Sequence, residues 1–346
     1  MRVLFWGTPE FAAAPLRALI GEGFEVVGVV SQPDKPTGRS RTLTQPPIKE
    51  IAIEEKIPCF QPVTPKDPQF LSQIEALEPD ISIVVAYGHI LPKRVIDMPR
   101  LGTLNIHASL LPLLRGAAPI QAAIREGMKQ TGVTIMRMVP ALDAGPIILT
   151  ATVPILDDET YGELQNRLAE LGALTLIEAL ALIEMGQADE VEQDESLATY
   201  ASKVTREDSK VEWSRPSEEV IRIVRAYDPK PGAFTTLNGT DIKLFGARIA
   251  SERSLQGAQL GAPGQVIAVG EGIIVSAADG PVCIRDVQPA GRKRMPENTV
   301  LSQAPSPGSM VSAGASVNLR VSRFPPPPRL TPPDTIIRVD SLSFNR

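Results

Sequence analysis

Cysteine and histidine are nearly absent: the 346 residues contain two of each, Cys59 and Cys283, His89 and His107. Two cysteines so far apart in sequence make neither a disulfide framework nor a metal knuckle, so no metal is expected. No uninterrupted apolar run approaches the roughly 20 residues that cross a bilayer. The opening MRVLFWGTPEF reads as a strand and a polar turn, without the apolar stretch and small-residue cleavage site of a secretory signal, and the expected compartment is the cytoplasm. A glycine-rich phosphate loop is missing too. The dinucleotide fingerprint needs three glycines and FWGTPEF supplies only Gly7, which disfavours a nicotinamide oxidoreductase. Gly7 and Pro9 then read as a strand-to-helix turn. A net charge of −5 argues against broad binding to nucleic acid.

What is present is an ordinary globular composition, 43% hydrophobic and 22% charged. At about 100 to 200 residues per domain the length suggests two domains and an extension. The runs RVLFW, EVVGVVS, DISIVVAY, GTLNIHA and GVTIMRMV read as strands, the first three almost continuously apolar, as strands buried on both faces are. PEFAAAPLRALIGEG, DPQFLSQIEALEP and APIQAAIREGMKQ lie between them with helical spacing. Such alternation predicts an α/β domain with a Rossmann-like parallel sheet over residues 1–189, closed by a long amphipathic helix at 159–187. Residues 190–207 read as a polar linker. Brief strands broken by DPKPG, NGT, GAPG and ADG predict a small OB-like β-barrel over 208–299. Residues 300–346 carry four consecutive prolines, five arginines and no lysine, and are expected to be a disordered tail.

Chemistry concentrates at NIHASLLP, residues 105–112. Residues two apart on a strand face the same side, so Asn105 and His107 project together, toward the crevice at the strand's carboxyl end. An amide N–H to hold an oxyanion and a base that titrates near neutrality suit acyl transfer without a covalent intermediate. The same residues equally fit a packed core histidine and a strand-end cap. Asp143, in the turn of PALDAGPI, has the chemistry to orient an imidazole, and it also fits an ordinary turn. Two basic clusters, KPTGRSR (Lys35, Arg39, Arg41) and GRKR (Arg292, Lys293, Arg294), read alone as solvated loops.

Taken together, FWGTPEF, QPDKPTGR, VVAYGHILP, NIHASLLPLLRGAAPIQAAI, GVTIMRMVPALDAGPI, DPKPGAF and QPAGRKRM resemble the methionyl-tRNA formyltransferase family, in the same order and over about residues 1–299. The resemblance implies transfer of a formyl group from 10-formyltetrahydrofolate to the methionine of initiator tRNA, to start translation. It implies Asn105, His107 and Asp143 as the catalytic set. It implies folate contacts from Ser109, Leu110, Leu111 and Pro112, and from the segment around Tyr87, Gly88, Ile90 and Leu91, with His89 as a structural or lining residue. It gives Lys35, Arg39 and Arg41, and Arg292, Lys293 and Arg294 of the carboxy-terminal domain, a role toward tRNA. A monomer is expected, with formyl-folate and initiator methionyl-tRNA as its partners. Leu113 and Leu114 depart from the family, which often has a basic and an aromatic residue there, and so does the long tail. Two rivals remain open: a formyl-folate enzyme with another amine acceptor, or with water as acceptor, and a non-catalytic tRNA- or folate-binding module.

Overall fold

In the computed structural model, residues 1–37, 42–237, 239–255, 257–269, 272–295, 299–304 and 318–323 are described. The chain opens with β1 (Arg2–Gly7), α1 (Ala13–Gly21), β2 (Glu25–Val30), the short strands β3 (Lys35–Thr37) and β4 (Thr42–Thr44), α2 (Pro47–Glu54), β5 (Cys59–Phe60) and α3 (Pro68–Glu75). It continues through β6 (Ile81–Val85), α4 (Lys93–Ile96), β7 (Thr103–His107), β8 (Arg115–Gly116), α5 (Pro119–Arg125), β9 (Gln130–Arg137), β10 (Ile147–Pro154) and α6 (Tyr161–Glu184). Beyond these lie β11 (Tyr200–Ala201), α7 (Ser217–Tyr227), β12 (Ala233–Leu237), β13 (Thr240–Ile249), α8 (Glu252–Leu255), β14 (Val266–Val269), β15 (Ile273–Ser276) and β16 (Pro281–Pro289).

A seven-stranded sheet of order β10–β9–β7–β6–β1–β2–β5 forms the first unit. Its five strands from β7 to β5 are parallel. The middle of β1, Val3 to Trp6, is wholly buried, because helices cover both faces of the sheet. At the other edge β9 runs antiparallel to both β7 and β10. Apolar periodicity carries no information on strand direction, so the sequence shows these strands but not the reversal. The reversal brings the connection 138–146 back beside β7, where Met138 N–H donates to the Thr103 carbonyl at 2.8 Å.

The helix expected at 159–187 is α6. Its start is set by a capping box, in which the Thr160 hydroxyl accepts from Glu163 N–H at 3.3 Å and the Glu163 carboxylate accepts from Thr160 N–H at 2.9 Å. The Thr160 hydroxyl, which also donates to the Glu163 carboxylate at 2.7 Å, and the Thr160 N–H hold that carboxyl below its usual range. The buried residues Leu164, Leu168, Gly172, Leu176 and Leu180 recur at helical spacing and form the face laid on the sheet. A Cβ at Gly172 would stand 3.0 Å from Ile106 Cγ2, so glycine is what lets α6 come this close to β7. Ile106 therefore turns toward α6, and its neighbours Asn105 and His107 turn the other way.

The later strands form a five-stranded antiparallel sheet of order β12–β13–β16–β15–β14, against which α7 packs. β17 (Thr299–Ala304), which starts one residue before the segment expected to be a disordered tail, pairs antiparallel with β18 (Asn318–Arg323) within it, so these residues depart from that expectation, and the rest of it lies outside the described residues. Among the described residues no helix is long and apolar enough to cross a membrane.

Leu176 is fully buried where α6 meets the sheet. Replacing it with alanine is expected to cost about 2–5 kcal/mol of unfolding free energy, through reduced burial and a residual cavity. Urea titration checks this, with the midpoint falling and the slope unchanged.

Candidate active site

Asn105 and His107 project from the end of β7 into a cleft of about 610 Å³, whose lining includes Asp143, the segment 86–91, Met136 and Met138. His107 is 5% exposed. Its Nε2 lies 2.9 Å from the Leu114 carbonyl oxygen. A carbonyl only accepts, so Nε2 carries the proton and donates. The other nitrogen, Nδ1, stands 3.7 Å from Asp143 Oδ2. That separation exceeds a hydrogen bond and leaves the pair free to respond to a proton arriving between them. The amide of Asn105 has no hydrogen-bond partner among the described residues, which leaves its two N–H donors and its oxygen for a ligand.

Asp143 sits in left-handed backbone, with φ 47°, a conformation that aspartate tolerates better than most residues. Its Oδ2 accepts from Gly116 N–H at 2.8 Å. The glycine two residues on is required by close approach: a Cβ at Gly145 would lie 1.9 Å from the Arg137 carbonyl oxygen. Two other non-glycine residues at the site, Ala86 (φ 49°) and Leu114 (φ 59°), also have left-handed backbone. Leu114 is held there by its N–H, which donates to the Thr199 hydroxyl at 2.8 Å, as well as by its carbonyl on His107. Strained backbone thus gathers where the reactive groups are placed.

Tyr87 to Leu91 form one wall of the cleft, and Ile90 on its rim is 84% exposed. The Tyr87 carbonyl accepts from the Thr8 hydroxyl at 3.0 Å and from Gln32 Nε2 at 3.1 Å. The ring packs edge-on against Trp6 and His89, with centroids 5.2 and 5.6 Å away. Burial pushes its phenol up to about 12, and the hydroxyl has no partner within the described chain.

Ser109, Leu110, Leu111 and Pro112 do not line this cleft. The Ser109 hydroxyl donates to the Leu113 carbonyl at 2.5 Å, and Thr134 bonds both the Ser109 carbonyl and Leu111 N–H. Their observed contacts shape the loop that delivers the Leu114 carbonyl to His107. Lys35 bonds Gln32 Oε1 at the base of the β3–β4 loop. Arg39 and Arg41 lie outside the described residues. Arg292 and Lys293 are exposed and line a second, larger cleft of about 1310 Å³, beside Arg206, Phe234 and Lys243. Arg294 is engaged otherwise: it bonds Asp228 at 3.0 Å and Asp286 at 2.7 Å, and its guanidinium lies 4.3 Å over the Phe245 ring. Among the described residues, no group of three or more His, Cys, Asp or Glu side chains is arranged to hold a metal ion.

Two family models match, "Formyl transferase" over residues 1–180 and "Formyl transferase, C-terminal domain" over residues 203–305. The chain is 45% identical over 296 residues to the methionyl-tRNA formyltransferase of Pseudomonas fluorescens SBW25, covering 85% of this chain and 91% of that one. The chain belongs to the methionyl-tRNA formyltransferase family. A second relative of that name, from Moorella thermoacetica, is 42% identical over 313 residues, 90% of this chain and 99% of its own.

Solved structures extend the likeness of fold. HypX from Aquifex aeolicus in complex with tetrahydrofolic acid superposes with TM-score 0.61 at 22% identity, over 86% of this chain and 46% of that one. The N-formyltransferase from Helicobacter canadensis, with folinic acid and dTDP-3-aminofucose, gives 0.61 at 16% identity, over 85% and 99%.

Sequence reasoning passed over Gln193 and Thr199. They lie in the stretch read as a linker, yet they bond the turns that carry Asp143 and Leu114. Nothing in their local pattern marks them, since both contacts cross long intervals of chain.

The Tyr87 environment has a measurable consequence. An unfolded tyrosine ionises near 10 and the folded one near 12, so between those values the unfolded state loses its proton first. Stability is therefore expected to fall as pH rises from about 10 to 12, and less steeply in Tyr87→Phe. Denaturant midpoints across that range, compared between the two proteins, check it.

Proposed function

We propose that this chain transfers the formyl group of 10-formyltetrahydrofolate to the α-amino group of methionine on initiator tRNA, in the cytoplasm and as a monomer. The observation that carries the reading is the joint placement of Asn105, His107 and Asp143 in one cleft, in a chain 45% identical to a protein named for that reaction. The residues present suit a formyl-folate substrate. The wall formed by Tyr87, Gly88, Ile90 and Leu91 offers an apolar surface for a flat ring, together with a buried phenol that has a donor to spare.

In this mechanism the unprotonated amine attacks the formyl carbon, and negative charge develops on the formyl oxygen. The Asn105 amide donates to that oxygen. His107 Nε2 is occupied by Leu114, so Nδ1 is the nitrogen that takes the proton leaving the attacking amine. Asp143 offsets the positive charge of the resulting imidazolium. As the carbon–nitrogen bond to the folate breaks, Nδ1 returns that proton to the departing folate nitrogen, and the enzyme regains its starting state.

The second cleft supplies a reading for the acceptor's phosphates. Arg292 and Lys293 have no side-chain partners among the described residues and are the proposed contacts, with Lys35, Arg39 and Arg41 of the other cluster reaching the acceptor end. Arg294, held by two carboxylates, supports the strand end on which Arg292 and Lys293 are carried.

Purified full-length chain is expected to formylate initiator methionyl-tRNA, and not glycinamide ribonucleotide, a dTDP-amino sugar or water. Asn105→Ala and His107→Ala are each expected to lower turnover by on the order of 10²–10³, with folding intact by circular dichroism. Near wild-type turnover in either variant would remove that residue from the mechanism.

Replacing Arg292 and Lys293 together by alanine is expected to raise the KM for tRNA and leave turnover at saturation unchanged. The slope of log(kcat/KM) against log salt should become shallower by about one for each phosphate that the variant no longer neutralises.

A further inference from the structure

The residues between α6 and α7 contain one side chain whose hydrogen-bonding capacity is entirely used, and all of it at the active site. Gln193 is 9% exposed. Its Oε1 accepts from Arg115 Nε at 3.0 Å and from Arg115 Nη2 at 2.8 Å. Its Nε2 donates to the Asp143 carbonyl at 2.8 Å and to the Gly145 carbonyl at 2.7 Å. An amide has two N–H donors and two acceptor sites on oxygen, so no group is left over and no other orientation meets the same partners. Arg115 is 1% exposed and is balanced by Glu195, whose side chain is 69% exposed, which makes Gln193 its buried partner.

Gln193 therefore joins two segments apart in sequence, the short strand β8 and the turn that carries Asp143. One is Arg115–Gly116, and Gly116 N–H holds Asp143 Oδ2 at 2.8 Å. The other is the Asp143–Gly145 turn itself. Asp143 is gripped at its carboxylate by the first segment and at its own carbonyl by Gln193, in a backbone conformation with φ 47° that costs energy to maintain. Pairing of β11 with β8 ties the same stretch to Arg115 and Gly116 along the backbone.

We infer that Gln193 is a positioning residue for the transfer reaction, acting through Asp143 to set its carboxylate against His107 Nδ1. It does not line the cleft, and it reaches His107 only through the segments it ties. The inference rests on the proposed function for its kinetic readout only. Gln193→Met keeps the length and removes all four hydrogen bonds. Gln193→Glu keeps the two acceptors for Arg115 and presents oxygen in place of the donor to two carbonyls.

The test has two arms, both on the full-length chain. In the first, the chain's two histidines make the imidazole ¹⁵N resonances simple to assign, with His89→Gln identifying the other. The His107 resonances of the ligand-free protein are expected to move in Gln193→Met and Gln193→Glu in the direction seen for Asp143→Asn, while those of His89 stay in place. In the second, kcat for formylation of methionyl-tRNA is expected to fall at least about 10-fold, with KM for both substrates within about twofold. Added to Asp143→Asn, either Gln193 substitution should cost little more, because both act through the same carboxylate.

A folded variant whose His107 resonances match wild type, or losses in kcat that multiply fully in the double variant, would overturn the inference. If Gln193→Met does not fold, Gln193→Glu decides by the same readings. If the wild type does not formylate methionyl-tRNA but the resonances move as expected, the proposed acceptor fails and the positioning role stands.

Discussion

A carbonyl oxygen cannot donate, and so the 2.9 Å contact from His107 Nε2 to the Leu114 carbonyl decides which nitrogen of the imidazole is left for chemistry. The loop that follows β7, behind the cleft, serves that contact. The Ser109–Leu113 bond and the Thr134 bridge shape the loop, and Thr199 holds Leu114 in left-handed backbone, so that its carbonyl points at the ring. With Nε2 engaged, Nδ1 faces Asp143, and the loop that resembles a folate-contacting motif is what orients the His107 ring.

The same economy appears in the basic residues. The chain carries 35 lysines and arginines against 40 acidic residues, and several of its cations are already committed to carboxylates. Arg294 is held by Asp228 and Asp286, Arg206 pairs with Asp241 and lies over Phe234, and Arg115 is buried against Gln193 and Glu195. Arg115 is buried, and pairing offsets the cost of desolvating its charge, while Arg206 and Arg294 stay partly exposed but are held by carboxylates and have less to offer a phosphate. Position in a basic cluster is thus a poor guide to role: Arg292, Lys293 and Arg294 are consecutive, yet the first two line an open cleft and the third braces the sheet.

Backbone strain marks the site as clearly as charge does. Among the described residues, three of the five non-glycine residues in left-handed backbone, Ala86, Leu114 and Asp143, lie at the cleft or bond its residues. Leu114 and Asp143 are held by hydrogen bonds from elsewhere in the chain, so the fold sustains conformations that the local sequence disfavours. Gly145 and Gly172 do complementary work, the first letting the Asp143 turn close on Arg137 and the second letting α6 reach Ile106.

The sequence by itself determined a good deal. Continuous apolar runs alternating with helical spacing marked an α/β sheet, and period-2 logic put Asn105 and His107 on one side of a strand, as Ile106 packed under α6 confirms. Motif order was enough for the family, since seven matched stretches leave little room for coincidence. These are local or linear properties, set by a residue and its near neighbours along the chain. What only the tertiary structure decided depends on partners distant in sequence: the reversed strand β9, the imidazole tautomer, the burial of Ser109 within its own loop, the diversion of Arg294 to carboxylates, and the use of Gln193 across 48 to 78 positions. Apolar periodicity has no sense of direction, and a polar side chain in a linker looks the same whether it meets water or closes a turn. Which of these it does is settled by what the fold brings against it.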